Sequence, residues 1–427
     1  MKELIKKFIP DFLLGFYHYS LALISAFLYG FPSRKMTIIG VTGTSGKSTV
    51  VELIAKILEE ALRQAQGKQF KTASLSSIKF KVRDKEWENK LKMTMPGRMK
   101  LQRFLKQAIK AGCKYVVLEV TSEGIKQFRH KFIDFDVAVL TNLSPEHIEA
   151  HGGFEKYREA KAKLFQQTKK IHIINADDKN AEYFLKIPAK QIYGFGIKNH
   201  ELRIKNINII GAKKINLKEN SSSFIIHNSL FIIPLIGRFN IYNALAAISV
   251  ALSQGISLEV CQRALEKVKG ISGRMEVVIK KPFTVVVDYA HTPEALEKVY
   301  KTIVKNNKRM ICVLGACGGG RDKWKRPVLG KIAAQYCQEI IVTNEDPYDE
   351  DPMEIIEQVA GDTNAKKILD RKQAIKQALK LARPCDTVII TGKGSEPWMC
   401  VKGGKKIPWS DRQIVLDFLR KLTKMGL

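Results

Sequence analysis

From Met36 onward, short apolar runs alternate with amphipathic stretches, the pattern of strands followed by helices. Eight runs predict buried strands: Met36–Val41, Tyr115–Val120, Val137–Leu140, Ile171–Ile174, Thr284–Val287, Met310–Leu314, Ile340–Val342 and Thr387–Ile390. Apolar strands separated by helices predict a parallel sheet and therefore an α/β fold. Most of the runs end in a polar cluster: TGTSGKST, EVTSEG, TNLSPEH, NADD, DYAHTP, GACGGGRDK, TNEDP and TGKGSE. Open α/β sheets bind ligands at the carboxyl ends of their strands, so chemistry is expected in these clusters.

Arg203–Leu235 breaks the rhythm. It alternates apolar and polar residues, and SFIIHNSLFIIP predicts a hairpin. Within it Lys205–Asn220, rich in Lys and Asn, predicts an exposed edge. Asn240–Lys269 predicts helices, and a break near Gly270–Gly273 precedes a second strand–helix series. The expected organisation is an apolar helical segment over 1–35, a central domain over 36–270 and a C-terminal domain over 271–427. In the first segment, Phe12–Phe31 contains no Asp, Glu, Lys or Arg, and is flanked by Lys6 and Lys7 before and Arg34 and Lys35 after. Its length could just cross a bilayer, with aromatics as interfacial anchors. Tyr17, His18, Tyr19, Ser20 and Ser25 dilute it and Asp11 sits at its edge, which suits a helix packed on the body or on a second subunit. Both readings stand: membrane association through residues 12–31, or a packed helix.

Composition narrows the classes. A chain of 427 residues suggests two or three domains, and 45% hydrophobic with 27% charged residues excludes wholesale disorder, collagen-like repeats and coiled-coil fibres. The net charge of +30 favours anionic partners: nucleotides, phosphate-rich substrates, nucleic acid or a membrane surface. The seven cysteines are odd in number and form no CxxC pair, which argues against a disulfide framework or a thiolate zinc site and for a reducing cytoplasm. No cleavable signal pattern is present.

The run Thr42-Gly43-Thr44-Ser45-Gly46-Lys47-Ser48-Thr49 follows a strand and opens a helix. Glycines let successive backbone N–H groups face a phosphate, and the helix N-terminus adds partial positive charge. Lys47 can bridge the outer phosphates and Ser48 can ligate Mg²⁺. Val41 stands where the common spacing has a glycine, so this is a variant phosphate loop with Gly43 as its turn glycine. Glu119, ending an apolar strand, suits a Mg²⁺ ligand or a capping carboxylate. His147 and His151, four apart, would suit zinc in isolation, but Gly152-Gly153 follows and no thiolate is near in sequence. Lys161, within YREAKAKLF, reads as part of a solvated helix face.

Taken in order, TGTSGKST, EVTSEGIKQFR, TNLSPEHIEAHG, YREAKAKLF, NADD, LIGRFNIYNALAAI, GRMEVV, VDYAHTPEAL, GGGRDKWKRP, EDP and GKGSE resemble the Mur ligase family. These are ATP-dependent amide-bond formers of cell-wall precursor synthesis, and the likeness is to the branch adding the third peptide residue. The resemblance implies a central P-loop-type ATPase domain with a parallel sheet and a C-terminal Rossmann-like α/β domain, behind the short apolar helix. It implies an acid–amino-acid ligase of the cytoplasm, using ATP and Mg²⁺. Its substrates would be a UDP-muramoyl-peptide and an amino acid, with no nucleic acid partner. Gly43, Thr44, Ser45, Gly46, Lys47, Ser48 and Thr49 would hold the ATP phosphates. Ser48 and Glu119 would bind one Mg²⁺ and His147 a second. Lys161, fourteen residues past His147, matches the family's carbamylated lysine, in which CO₂ turns a cationic amine into a metal-binding anion. Asn240 and Asn243 match the adenine side, and Arg274 and Asp288 match ATP contacts from the C-terminal domain. Lys47, Lys161, His147 and Arg274 would carry the catalytic roles. Thr94, Thr121, Gln127 and Arg129 match positions holding the muramoyl-peptide, and Arg321, Gly392 and Glu396 match contacts to the incoming amino acid.

The chain also departs from the family. The N-terminal domain that grips uridine diphosphate is not expected within the 35 residues before Met36. Remaining basic residues, a partner or a different carrier, such as a lipid, would then hold that end of the substrate. The diaminopimelate-type DNPR signature is replaced by Glu345-Asp346-Pro347-Tyr348. Tyr348 cannot make arginine's bidentate grip on a carboxylate, whereas Glu345 and Asp346 welcome an amine, so lysine or ornithine suits the site as well as diaminopimelate. Glu123 and Ser395 stand where the family has histidines. Three rival readings remain: a related ligase for folylpolyglutamate, cyanophycin or a lipid-carried acid; a basic nucleic-acid-binding NTPase; and an inactive scaffold or membrane-tethered regulator.

Overall fold

The computed structural model describes residues 11–64, 71–91, 93–198, 207–304 and 309–424. Lys6, Lys7 and the start of the Arg203–Leu235 stretch, through 206, lie outside the described residues. The chain forms two compact units. One takes the described residues up to Leu143, with Glu155–Pro234 and Arg238–Val268; the other takes Ser144–Phe154, Leu235–Gly237 and Lys269–Leu427.

The first unit opens with α1 (Asp11–Leu28), and its large sheet holds β1 (Thr37–Thr42), β2 (Lys71–Leu75), β3 (Lys79–Val82), β4 (Lys85–Glu88), β5 (Cys113–Glu119), β6 (Val137–Leu140), β7 (Ile171–Asn175), β8 (Gln191–Gly196) and β9 (Ile207–Gly211). Their order is β4-β3-β2-β5-β1-β6-β7-β8-β9, parallel from β2 to β9, with β3 and β4 added antiparallel at one edge. Helices α2 (Lys47–Gln64), α3 (Arg98–Lys110), α4 (Ser122–Lys126), α5 (Phe154–Gln167) and α6 (Ala181–Leu185) alternate with the strands. Strand β1 lies at the centre, and Ile38, Ile39 and Val41 are fully buried, as the unbroken apolar run requires when both faces are covered. The expected hairpin is β11 (Ser222–Ile226) paired antiparallel with β12 (Ser229–Ile233), joined by β10 (Lys213–Leu217) in a three-stranded sheet. Phe224 and Phe231 stack across it. Helices α7 (Arg238–Ser253) and α8 (Leu258–Glu266) close the unit, and α7 packs against α2.

The second unit holds β13 (Glu276–Ile279), β14 (Thr284–Val287), β15 (Met310–Leu314), β16 (Glu339–Thr343), β17 (Lys366–Ile368) and β18 (Thr387–Ile390) in the order β13-β14-β18-β15-β16-β17. All neighbours are parallel except β13 with β14. Helices α9 (Pro293–Ile303), α10 (Lys325–Tyr336), α11 (Pro352–Ala360), α12 (Arg371–Leu381) and α13 (Asp411–Lys424) and a small hairpin, β19 (Trp398–Val401) with β20 (Lys405–Pro408), complete it.

Strands β2 and β8 escaped the sequence reading because their polar residues hide them. In KTASL, Thr72 and Ser74 are buried inside the sheet, so no alternation shows. A membrane span is not what the apolar N-terminal run makes. Among the described residues no helix is long and apolar enough to cross a membrane. One side of α1 packs on the unit: Ala22, Ser25 and Ala26 are buried, and Tyr19 sets its ring edge-on to Phe128 and Phe132.

Candidate active site

The phosphate-loop candidate leaves β1 and enters α2. Gly43 has φ +146° and Gly46 φ +83°, and a Cβ on Gly43 would lie 2.0 Å from Thr141 Oγ1. A side chain is therefore excluded there by both backbone and space. The next strand pins the loop from beside it. Asn142 O accepts from Thr44 N at 2.9 Å. The Asn142 side chain accepts from Ser45 N and donates to Ser45 O, each at 2.9 Å. Helix α7 presses from another side, since a Cβ on Gly46 would meet Asn243 Oδ1 at 2.4 Å, and Asn243 Nδ2 donates to Asn240 Oδ1 at 3.0 Å. Lys47 Nζ donates to Thr44 O at 2.8 Å, so its ammonium is folded over the loop.

Ser48 and Glu119, 71 residues apart in sequence, meet here. The Ser48 hydroxyl donates to Glu119 Oε2 at 2.8 Å, Ser77 N donates to the same oxygen at 2.8 Å, and Ser48 Oγ lies 2.7 Å from Ser77 Oγ. Parallel pairing of β1 with β5 puts Val41 beside Glu119, which brings the carboxylate to the loop. A hydroxyl and a carboxylate at the mouth of a phosphate loop are hard oxygen donors and fit Mg²⁺. Among the described residues no group of three or more His, Cys, Asp and Glu is gathered for a metal. Magnesium suits that sparse set, because it keeps waters and shares its shell with substrate phosphates.

Lys161 is not on a solvated face. It is 2% exposed, its Nζ donates to Gly43 O at 2.7 Å, and it sits 4.5 Å over the Tyr157 ring. The helical period of α5 was legible, but which face the loop would cover was not. Tyr157 also reaches the loop, with its hydroxyl 3.1 Å from Thr44 Oγ1.

Thr121 caps α4 by accepting from Gly124 N at 3.1 Å. Arg129 is buried, and its guanidinium holds Met95 O and, at 2.6 Å, Gln127 Oε1. Arg98 donates to Gln127 O from the other side. Asn89 Nδ2 lies 3.5 Å from Thr94 O. Thr94, Gln127 and Arg129 thus fall in one cluster with Arg98, which the sequence reading missed. Burial, reinforced by the mutual repulsion of the two arginines, lowers the Arg129 pKa.

In the second unit, Arg274 lies 4.2 Å over the Tyr289 ring, and Asp288 accepts from Met275 N at 2.7 Å and Ala290 N at 2.6 Å. Burial raises the Asp288 carboxyl despite Arg274 and those two bonds. His147 belongs to this unit. It has φ +56°, and Arg321 donates to its Nδ1 at 3.1 Å. Its segment is held by Asp322, which accepts from Glu149 N at 3.0 Å, and by the buried pair Lys325–Glu146 at 3.0 Å. His151 adds no further ligand set among the described residues.

The run from Glu345 to Tyr348 follows β16. Lys393 Nζ bonds both Asp346 oxygens at 2.9 Å and Glu396 Oε2 at 2.6 Å, while Tyr289 donates to Glu396 Oε1 at 2.9 Å. Burial pulls the Lys393 ammonium down, but the two carboxylates outweigh it and its pKa is raised. Glu345 is different. Its Oε1 accepts from Cys317 Sγ at 2.9 Å, but its buried Oε2 has no hydrogen-bond partner among the described residues. Burial raises its carboxyl pKa, against the pull of Arg371. Gly392 (φ +105°) makes room, since a Cβ there would lie 2.1 Å from Glu345 Oε2. Tyr348 has φ +54° and packs its ring on Gly319.

Comparison with known proteins shows the family. The family description "Mur ligase middle domain" matches residues 41–251, and "Mur ligase, glutamate ligase domain" matches residues 273–394. A UDP-N-acetylmuramoyl-L-alanyl-D-glutamate–2,6-diaminopimelate ligase from Syntrophomonas wolfei is 40% identical over 421 residues, covering 95% of this chain and 82% of its own. A UDP-N-acetylmuramyl-tripeptide synthetase from a Roseiflexus species is 34% identical, with 95% and 82% covered. A solved UDP-N-acetylmuramoyl-L-alanyl-D-glutamate–2,6-diaminopimelate ligase superposes with a TM-score of 0.58 at 30% identity, over 91% of this chain and 79% of that one. The chain therefore belongs to the Mur ligase family, ATP-dependent ligases that form carbon–nitrogen bonds.

Proposed function

We propose that this enzyme joins an amino acid to UDP-N-acetylmuramoyl-L-alanyl-D-glutamate at the expense of ATP, making the tripeptide precursor of peptidoglycan. The γ-phosphoryl group of ATP passes to the D-glutamate side-chain carboxylate, giving an acyl phosphate and ADP. The amino acid's amine attacks the acyl carbon, loses a proton, and the tetrahedral intermediate expels phosphate to leave the amide. No covalent nucleophile from the protein is needed. Lys47 offsets the charge that develops on the transferred phosphoryl group, and Arg274 carries a catalytic role. The central domain over 36–270 does the phosphate work and the C-terminal domain over 271–427 serves the amino acid. Thr94, Thr121, Gln127 and Arg129 hold the muramoyl-peptide; Asn240 and Asn243 serve the adenine side, and Asp288 the nucleotide. ATP and a nucleotide-linked acceptor place the work in the cytoplasm, at the inner face of the membrane if α1 meets lipid.

The observation that supports this reading most directly is Ser48 donating to Glu119 at 2.8 Å beside the phosphate loop. Those two residues would hold Mg²⁺, which would neutralise phosphate charge there, and His147 would serve a second ion. Lys161 carries a carbamate in the working enzyme: its neutral amine adds to CO₂ and releases a proton, and the anion replaces a cation that would repel the metal. The burial of Lys161 against the loop, with its Nζ 2.7 Å from Gly43 O, supports a role for it at the phosphate site. Glu345, Asp346, Gly392 and Glu396 receive the distal end of the amino acid, with Tyr348 and Arg321 at its border.

A phosphate-release assay tests the reading. With ATP, Mg²⁺ and UDP-muramoyl-dipeptide, release should require an amino acid bearing a distal amine, such as L-lysine, L-ornithine or meso-diaminopimelate. Release without any amine, or dependent on nucleic acid, overturns it.

A further inference from the structure

After Asp11, helix α1 carries no charged residue. Its inner side packs on the unit, but its outer side turns Leu13, Phe16, Tyr17, Ile24, Phe27 and Leu28 to solvent, with Phe16 71% and Phe27 73% exposed. With large side chains of roughly 150–250 Å² each, this is an apolar patch on the order of 700 Å², more than a soluble monomer ordinarily shows. The border of the patch is built differently. Helix α3, which packs on α1, carries Arg98, Lys100, Arg103, Lys106 and Lys110 and no acidic residue. Lys100, Arg103 and Lys110 are exposed, as are Arg34 and Lys35 in the turn that follows α1; Arg34 pairs with Asp134 at 3.3 Å.

We propose that α1 is an interfacial anchor that seats this enzyme on an anionic bilayer surface, its apolar side dipping below the headgroups and the α3 cations meeting lipid phosphates. The helix lies along the surface. At about 1.5 Å per residue its length would approach a bilayer core, but one side is occupied by the protein and it does not meet the hydropathy of a span. Charge decides between lipid and a second copy of the chain. A two-fold pairing over α1 would bring each basic border toward its equivalent, on chains that each carry +30. An anionic surface attracts the same border, and a polybasic strip beside an apolar helix is how peripheral proteins read such surfaces.

The test is sedimentation of the full chain with vesicles of phosphatidylglycerol mixed with phosphatidylcholine, and with phosphatidylcholine alone. The protein should pellet with the first and not the second, and less as salt rises. The double variant Phe16→Glu/Phe27→Glu should weaken partition at least ~10-fold, and Lys100→Glu/Arg103→Glu should weaken it several-fold. Both should keep the melting temperature and the ligase rate in solution, because these side chains are exposed and outside the site. Three results would overturn the proposal: protein left in the supernatant with anionic vesicles at low salt, unchanged partition in the Phe16/Phe27 variant, or a dimer in solution that this variant splits. The last would assign the patch to a second copy.

Discussion

Replacing Glu345 by Gln separates the stability of the second unit from its hold on the amino acid. In the native protein a fully buried carboxylate has one oxygen bonded to the Cys317 thiol and the other without a hydrogen-bond partner among the described residues. Leaving a buried polar group unsatisfied costs about 1–3 kcal/mol, and more when it is charged. Glutamine keeps the shape and removes the charge, so the unliganded protein should gain about 2 kcal/mol at neutral pH, or about 4–8 °C in melting temperature for a unit of this size. The pH dependence has a definite sign. Burial raises the folded carboxyl above its unfolded value, so native Glu345 favours the fold most at acid pH, and that contribution is lost as pH rises through the folded value. The gain in the variant should therefore grow from acid to neutral pH. A ligand ammonium would lose a charge-assisted bond worth about 1.5–3 kcal/mol, raising the KM for the amino acid roughly 10- to 150-fold while the KM for ATP stays unchanged. Melting curves from pH 4 to 8 and initial rates over a range of lysine concentrations measure both effects. A variant that melts lower at neutral pH, with an unchanged KM for the amino acid, would refute the reasoning.

Other changes probe the rest of the molecule. Lys47→Ala should abolish nucleotide binding by calorimetry while circular dichroism stays native; full ATP affinity would reject the phosphate-loop assignment. Lys161→Ala should abolish ligation, short carboxylic acids should restore part of it, and ¹³C-bicarbonate should give the native enzyme a carbamate resonance that the variant lacks. Gly43→Ala should cost about 1–3 kcal/mol and most nucleotide affinity, because φ is +146° and the new Cβ would meet Thr141 at 2.0 Å. Arg371→Met should destabilise by about 3–5 kcal/mol, since it strands Asp411, now paired at 2.8 Å with both side chains fully buried.

What the linear chain settled was the alternation of strand and helix and the places where strands hand over to polar loops. Apolar runs such as Val137–Leu140 and Thr284–Val287 are strands at those same limits, because a strand covered on both faces must be apolar throughout. The loop from Thr42 to Thr49 was legible too, since its glycines and lysine serve one local geometry. Contacts set by packing were beyond the sequence. The meeting of Ser48, Ser77 and Glu119 depends on β1 lying beside β5, the Asn142 clamp on β6 lying at its other side, and the burial of Lys161 on the face α5 turns inward. Whether the apolar helix α1 crosses a bilayer or packs on the protein was likewise decided by tertiary structure: burial of Ala22, Ser25 and Ala26 fixes one side, and leaves the other exposed. Periodicity records what each segment prefers, whereas sheet order, which sets the company each side chain keeps, is a property of the whole chain.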